Sequence, residues 1–350
     1  MASIIYSKME DKNAPMYGKF IHPIKALIEE ESNNLEHQKG VLDFLYNVEK
    51  SNRYAETVIS EGDFKSFEAT PEGQGAPNDS IEPGYTKTIY HIPFMKEFTI
   101  TKEMADDSVI GISADIKQKP KKFVRAYYKT RKEIAEQALF NATSTSFVYN
   151  GANVDLTVGD GKQLFHKAHT FATRTGTQAN YFVNGSATSM LSATSIESTL
   201  ALLANKMRNF EDEGGGNMGF IPDVLIIPAN RPALEALCKK VIGSERTIGS
   251  GNNDINVQYG QWTLVVLDGW KLAAGAADRI MVMSREGNEQ LMANMFYNRV
   301  NLDIRTRIDD HTRNLVWNGY CRFGVGFTNW KHIALFDDAA SNASAEAINS

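Results

Sequence analysis

The sequence predicts an α+β chain, and three patterns carry that expectation. Between Ile116 and Asn141, Phe123, Tyr127, Ile134 and Ala138 recur at helical spacing on one face. Residues 194–284 alternate helix-like and strand-like runs, as an α/β unit does. Residues 300–327 alternate apolar and polar side chains on either side of a polar turn, the pattern of a long antiparallel pair with one buried side.

The elements follow in order. The first fifty or so residues read as an arm punctuated by Pro15, Gly18 and Pro23, with a short amphipathic helix marked by Leu35, Val41, Leu42, Leu45 and Val48. Strand-like runs, Glu56 to Glu68 and Lys87 to Thr101, flank a Gly/Pro-rich stretch from Thr70 to Asp79, which predicts a long hairpin with a polar tip. A tip of that length has little core to bury itself against. In the helix from Ile116, Pro120 suits a first-turn position. A loop, Val158 to His166, and a Thr/Gly/Asn-rich connection lead to Ala193. Thr194 with Glu197 spells a capping box for the next helix, which Gly214-Gly215-Gly216 ends. Val224 to Pro228, Trp262 to Leu267 and Arg279 to Met283 read as strands, and Pro232 to Val241 as a helix. In the last part, Val300, Leu302, Ile304 and Ile308 should face Trp317, Gly319, Cys321 and Phe323 across the polar turn 309–314. Beyond Asp338 the chain is Ala/Ser/Asn-rich and is expected to fray.

Composition narrows the function. The chain has 350 residues, 42% hydrophobic and 23% charged, with a net charge of −5, enough apolar residues for a core and too many for wholesale disorder. No apolar run approaches the roughly 20 residues of a membrane span, and no secretory signal opens the chain, so a soluble, non-membrane protein is expected. Cys238 and Cys321 alone cannot build a disulfide framework or a structural zinc site and read as core thiols.

No catalytic, cofactor or metal residues can be nominated. Gly214-Gly215-Gly216-Asn217-Met218-Gly219 spells G-x-G-x-x-G, but it follows a helix and precedes a strand, the reverse of a dinucleotide site. Gly159 to Lys162 lacks phosphate-loop spacing and reads as a turn. His166 and His169 lie in a loop without an acidic cluster to complete a metal site. Asp303, Asp309, Asp310 and His311 read as a solvated strand face and an Asx turn.

One segment stands apart. Lys117, Lys119, Lys121, Lys122, Arg125, Lys129, Arg131 and Lys132 follow one another with no acid between them, although the chain as a whole is acidic. Such a run is usually a solvated helix face. Eight cations also repel unless a polyanion or an acidic neighbour compensates, which makes them candidates for sequence-independent phosphate contact. The acid-rich N-terminal third of a neighbouring subunit is the competing counter-charge.

Several stretches carry a resemblance: Glu72 to Asp79 with Phe98 to Met104, Ala138 to Asn141, Asp160 to His166, Pro222 to Pro228, Arg313 to Tyr320 and Phe323 to Trp330. Their order over about residues 50–335 resembles the tailed-phage major capsid proteins with the Hong Kong ninety-seven type fold, and the closing motifs are similar to the Mu-like head-subunit subgroup. The resemblance implies an N-terminal arm (1–55), an E-loop (56–105), a peripheral domain with a spine helix (106–175, helix about 116–141), an axial domain (176–284), β-rich peripheral strands (285–338) and a flexible tail (339–350). It implies a virion shell of hexamers and pentamers around double-stranded DNA, assembled in the host bacterial cytoplasm. A portal protein and a separate scaffolding protein would be its partners. The E-loop would lie over a neighbour and the spine helix toward the lumen. Neither partner of the Lys–Asn cross-link found in some relatives can be matched, so none is expected. An encapsulin-type compartment and an α/β enzyme with a dispersed site are the alternatives.

Overall fold

The computed structural model describes residues 5–9, 18–36, 40–62, 64, 67, 69–76, 78, 80–106, 114–185, 192–246, 255–339 and 341–348. The chain opens with β1 (Ile5–Met9), α1 (Gly18–Glu36), α2 (Val41–Leu45) and β2 (Asn47–Lys50). A hairpin, β3 (Ala55–Glu61) with β4 (Pro83–Tyr90), leads into β5 (Ile92–Ile100), α3 (Lys102–Asp106) and α4 (Ala114–Phe140). The expected hairpin is therefore two structures. Its strands pair only as far as Glu61 and Pro83, and the return breaks at His91, after which β5 joins a different sheet.

Helix α4 forms where the apolar period is strongest. Ile116, Phe123, Val124, Tyr127, Ile134, Ala135, Ala138 and Leu139 are all buried, spaced by the three, four and seven residues that keep one helix face inward. Its 27 residues span about 40 Å. It starts before Ile116, so Pro120 falls in the second turn rather than the first.

Small hairpins follow, β6 (Ser146–Tyr149) with β7 (Ala152–Asp155) and β8 (His169–Thr170) with β9 (Thr177–Gln178). Next come β10 (Tyr181–Val183), α5 (Ala193–Arg208), β11 (Val224–Pro228), α6 (Pro232–Gly243), β12 (Thr263–Leu267), β13 (Arg279–Met283) and α7 (Arg285–Gln290). The N-cap of α5 is Ser192, whose side chain accepts from the Ser195 backbone N–H. The Thr194–Glu197 box predicted from sequence lies inside the helix instead. The chain ends with β14 (Asn294–Ile308), β15 (Leu315–Phe327), β16 (Ile333–Asp337) and β17 (Glu346–Ala347).

Two main sheets organise these elements. The first runs β1-β14-β15-β5, with β2 also pairing on β14. Its centre is the predicted antiparallel pair, in register at Ile304↔Gly319 and Thr306↔Trp317, with irregularities between Asn298 and Asp303. Helix α4 crosses this sheet closely at Gly319, where a Cβ would stand 2.4 Å from Cζ of Phe123. The second sheet, β12-β11-β13-β16-β10-β17, is mixed and carries α5 and α6. Here the sequence reading needs correction. After the long strands the chain returns, and β16 lies between β13 and β10 inside the second sheet. The segment expected to fray supplies β17 and the buried Ile348, because both find partners on β10.

The β3–β4 hairpin meets the body along its paired strands, from Ile89 near its base to Tyr85 near the end of the ladder. Ile89 packs with Met295 and Tyr297, and Tyr85 Oη donates to the Phe171 carbonyl at 3.0 Å. Lys87 Nζ lies 2.6 Å from both Asp155 Oδ2 and Thr157 Oγ1. Ile59 on β3, and Phe64 and Phe67 beyond that strand, are exposed.

Candidate nucleic-acid interface

The eight basic residues all lie on α4, but the helix divides them. Taking about 100° per residue, Lys121, Lys122, Arg125, Lys129 and Lys132 fall within about 100° of arc. That stripe faces away from the sheet, and Lys122, Arg125 and Lys129 are exposed. Lys117 is exposed beside it, whereas Lys119 turns back to donate to the Thr99 carbonyl at 3.0 Å. Arg131 faces inward. It is only 8% exposed, and its guanidinium lies 5.3 Å from the Phe296 ring centre and 5.6 Å from that of Tyr127. It cannot share a phosphate surface with the others. The wheel itself contains this signal, since Arg131 is four residues after Tyr127 and three before Ile134.

The missing acids come from the chain itself. Helix α1 lies along α4, anchored by the buried Ile24 and Ile28 and by a 2.9 Å hydrogen bond between Ser32 Oγ and Tyr128 Oη. It places Glu30 Oε2 3.6 Å from Lys121 Nζ and Glu31 Oε1 2.5 Å from Arg125 Nε. One turn on, Lys129 pairs with Glu133 at 3.5 Å, and Lys132 pairs with Glu136 at 3.6 Å and Asp268 at 2.7 Å. Burial alone would lower the Lys132 ammonium's pKa, but the hydrogen bond to Asp268 and the two carboxylates outweigh it and raise it. Burial raises the pKa of Glu136 despite Lys132. Lys117 and Lys122 have no acidic partner among the described residues. The surface can therefore make sequence-independent contacts to phosphate, with much of its charge already balanced.

The remaining candidates fold as ordinary structure. Asp212 Oδ1 accepts from Gly216 N at 2.6 Å, so the G-x-G-x-x-G run is a turn closed on Asp212. Asp309 accepts from the His311 N–H and the Thr312 hydroxyl, the expected Asx turn. Burial pushes the thiols of Cys238 and Cys321 up to about 12. Among the described residues no group of three or more His, Cys, Asp or Glu could hold a metal ion, and no helix is long and apolar enough to cross a membrane.

A buried polar network was not read from the sequence. Asp160 Oδ2 lies 2.8 Å from His169 Nδ1, whose ring stacks on Trp330 at 4.6 Å. Nearby, Lys331 Nζ lies 3.3 Å from Glu213 Oε1, with both side chains buried. These groups join the β7–β8 and α5–β11 connections to the segment between β15 and β16.

No protein-family profile and no curated protein matches the chain. Solved structures do. The capsid structure of the cyanophage P-SCSP1u aligns with 85% of this chain and 87% of its own, at 14% identity and a TM-score of 0.50. The capsid of an empty GTA particle aligns with 86% of this chain and 92% of its own (15% identity, TM-score 0.49). Mycobacterium phage Patience covers 94% of this chain and 89% of its own (15% identity, TM-score 0.49). The cyanophage likeness carries the conclusion: the chain has an α+β fold of the phage capsid class.

Proposed function

We propose that this chain is the major capsid protein of a tailed phage, a structural subunit that works by assembly rather than catalysis. Copies would associate as hexamers and pentamers into an icosahedral head, the virion shell, in the cytoplasm of a bacterial host. The observation that carries this reading is the shared fold with the cyanophage capsid over most of both chains. A feature of this chain supports it: the β3–β4 hairpin holds Ile59, Phe64 and Phe67 in solvent, where another subunit could cover them.

The exposed stripe of α4, with Lys117, Lys121, Lys122, Arg125, Lys129 and Lys132, would face the packaged double-stranded DNA and contact its phosphates without reading sequence. A separate scaffolding protein would guide assembly and a portal protein would occupy one vertex.

The test is particle size. The chain, expressed alone and with its neighbouring genes, is examined by sedimentation and negative-stain microscopy. Closed shells or five- and six-fold capsomers are the expected result, and a persistent monomer under both conditions would sink the reading. Shells holding a protein cargo in place of DNA would favour an encapsulin-type compartment.

A further inference from the structure

We infer that α1 is a built-in competitor for phosphate, which limits how many DNA phosphates α4 can neutralise. The inference rests on the reading of α4 as the DNA-facing helix and adds its regulation. Glu31 and Arg125 show the geometry most clearly. The Glu31 side chain is 7% exposed while that of Arg125 is 60% exposed, so the carboxylate lies beneath the guanidinium on the protein side. A phosphate arriving from solvent meets a cation already paired from below. Water and salt screen that pair less than they screen an exposed one.

Glu30 acts on Lys121 in the same way from a more open position, and Glu29 is held by Lys25 on its own helix. With Ile24 and Ile28 in the core, α1 does not need to lift for this effect, because its charge is fixed in place. The result is a weak grip with a shallow salt dependence, suited to a wall that duplex DNA must slide past.

The test uses the full-length, unassembled subunit and fluorescence anisotropy with a labelled duplex of about 30 base pairs over a sodium chloride series. Each phosphate contact contributes about −0.9 to the slope of log K against log salt. Freeing Lys121 and Arg125 with Glu30→Gln and Glu31→Gln should steepen the slope by about 2. Affinity lost between 50 and 200 mM salt should then grow about tenfold. Where Glu31→Gln prevents folding, Glu30→Gln alone should steepen the slope by about 1. The parallel variant Lys122→Gln with Lys129→Gln separates the two ideas. If it flattens the slope while the glutamate variants leave it unchanged, the competitor role is overturned and the DNA reading stands. If it too changes nothing, the DNA reading falls and the competitor role falls with it.

Discussion

His169 and Asp160 form a hydrogen-bonded pair sealed from solvent: Nδ1 lies 2.8 Å from Oδ2, with side-chain exposures of 0% and 1%. Asp160 also accepts from the backbone N–H of Lys162, so it fixes the β7–β8 loop as well as the imidazole. Burial alone would raise its pKa, but the hydrogen bond from His169 and the backbone donors outweigh it and lower it. A depressed carboxylate contributes stability above its unfolded pKa, near 4, and loses it as pH falls through the folded value. Asp160→Asn should therefore cost about 1–3 kcal/mol at pH 7, and the deficit should shrink below pH 4. Urea unfolding of the subunit at the two pH values measures both; an equal deficit at each would refute the account.

His332 predicts a second acid effect in a different window. Full burial pushes its pKa down to about 3, and Nε2 lies 2.8 Å from Asn294 Oδ1. The unfolded chain binds a proton near pH 6.5 that the folded chain refuses, so stability falls as pH drops below that value. One such group removes on the order of 2 kcal/mol between pH 6.5 and 5. His332→Gln should flatten this part of the stability–pH curve, even if it lowers the curve as a whole. A variant curve parallel to the wild type would exclude His332 as the source.

These residues mark what the sequence can and cannot reveal. Helix α4 and the β14–β15 pair were legible because their apolar periods persist over many residues. Strand β16 is five apolar-rich residues with no alternation to orient it, and its neighbours in the sheet lie fifty or more residues upstream. Nothing local says that it crosses to the second sheet. The basic run was legible as composition, but its acids, Glu30 and Glu31, are about ninety residues away and come to it only through α1 packing. Asp160 lies in a loop and His169 in a two-residue strand, neither long enough to show periodicity, and burial alone distinguishes them from surface residues.

Gly319 sets the distance between α4 and the sheet. A Cβ there would stand 2.4 Å from Phe123 Cζ and 3.1 Å from Leu302 Cδ1. Phe123 cannot yield freely, because its ring packs at 5.1 Å on Phe98, which stacks on Trp317. Gly319→Ala should cost about 1–3 kcal/mol in chemical denaturation. Phe123→Leu in the Gly319→Ala background should recover part of that loss, and a strictly additive double variant would show that the contact is not the cause.

The hairpin should matter to assembly far more than to folding. Phe64 and Phe67 are exposed and contribute nothing to either apolar cluster. Phe64→Ser with Phe67→Ser should leave subunit stability within about 0.5 kcal/mol. The same variant should shift sedimentation from shells toward free subunits or capsomers. Normal shells from the double variant would remove these side chains from the proposed interface.

Reversing charge on α4 should give two different outcomes, depending on what lies beneath each cation. Among the described residues Lys122 is exposed with no acidic partner, and Lys129 is held only by Glu133 on its own helix. Lys122→Glu with Lys129→Glu should leave folding and shells intact while reducing DNA content, because only the outward potential changes. Arg125→Glu places a carboxylate against the buried Glu31 and should loosen α1, costing several kcal/mol and failing before any shell forms. Calorimetry of the subunits and absorbance of purified particles at 260 and 280 nm separate the cases. If both variants give stable, fully packaged heads, neither the DNA-facing role of α4 nor the structural weight of the Glu31–Arg125 pair survives.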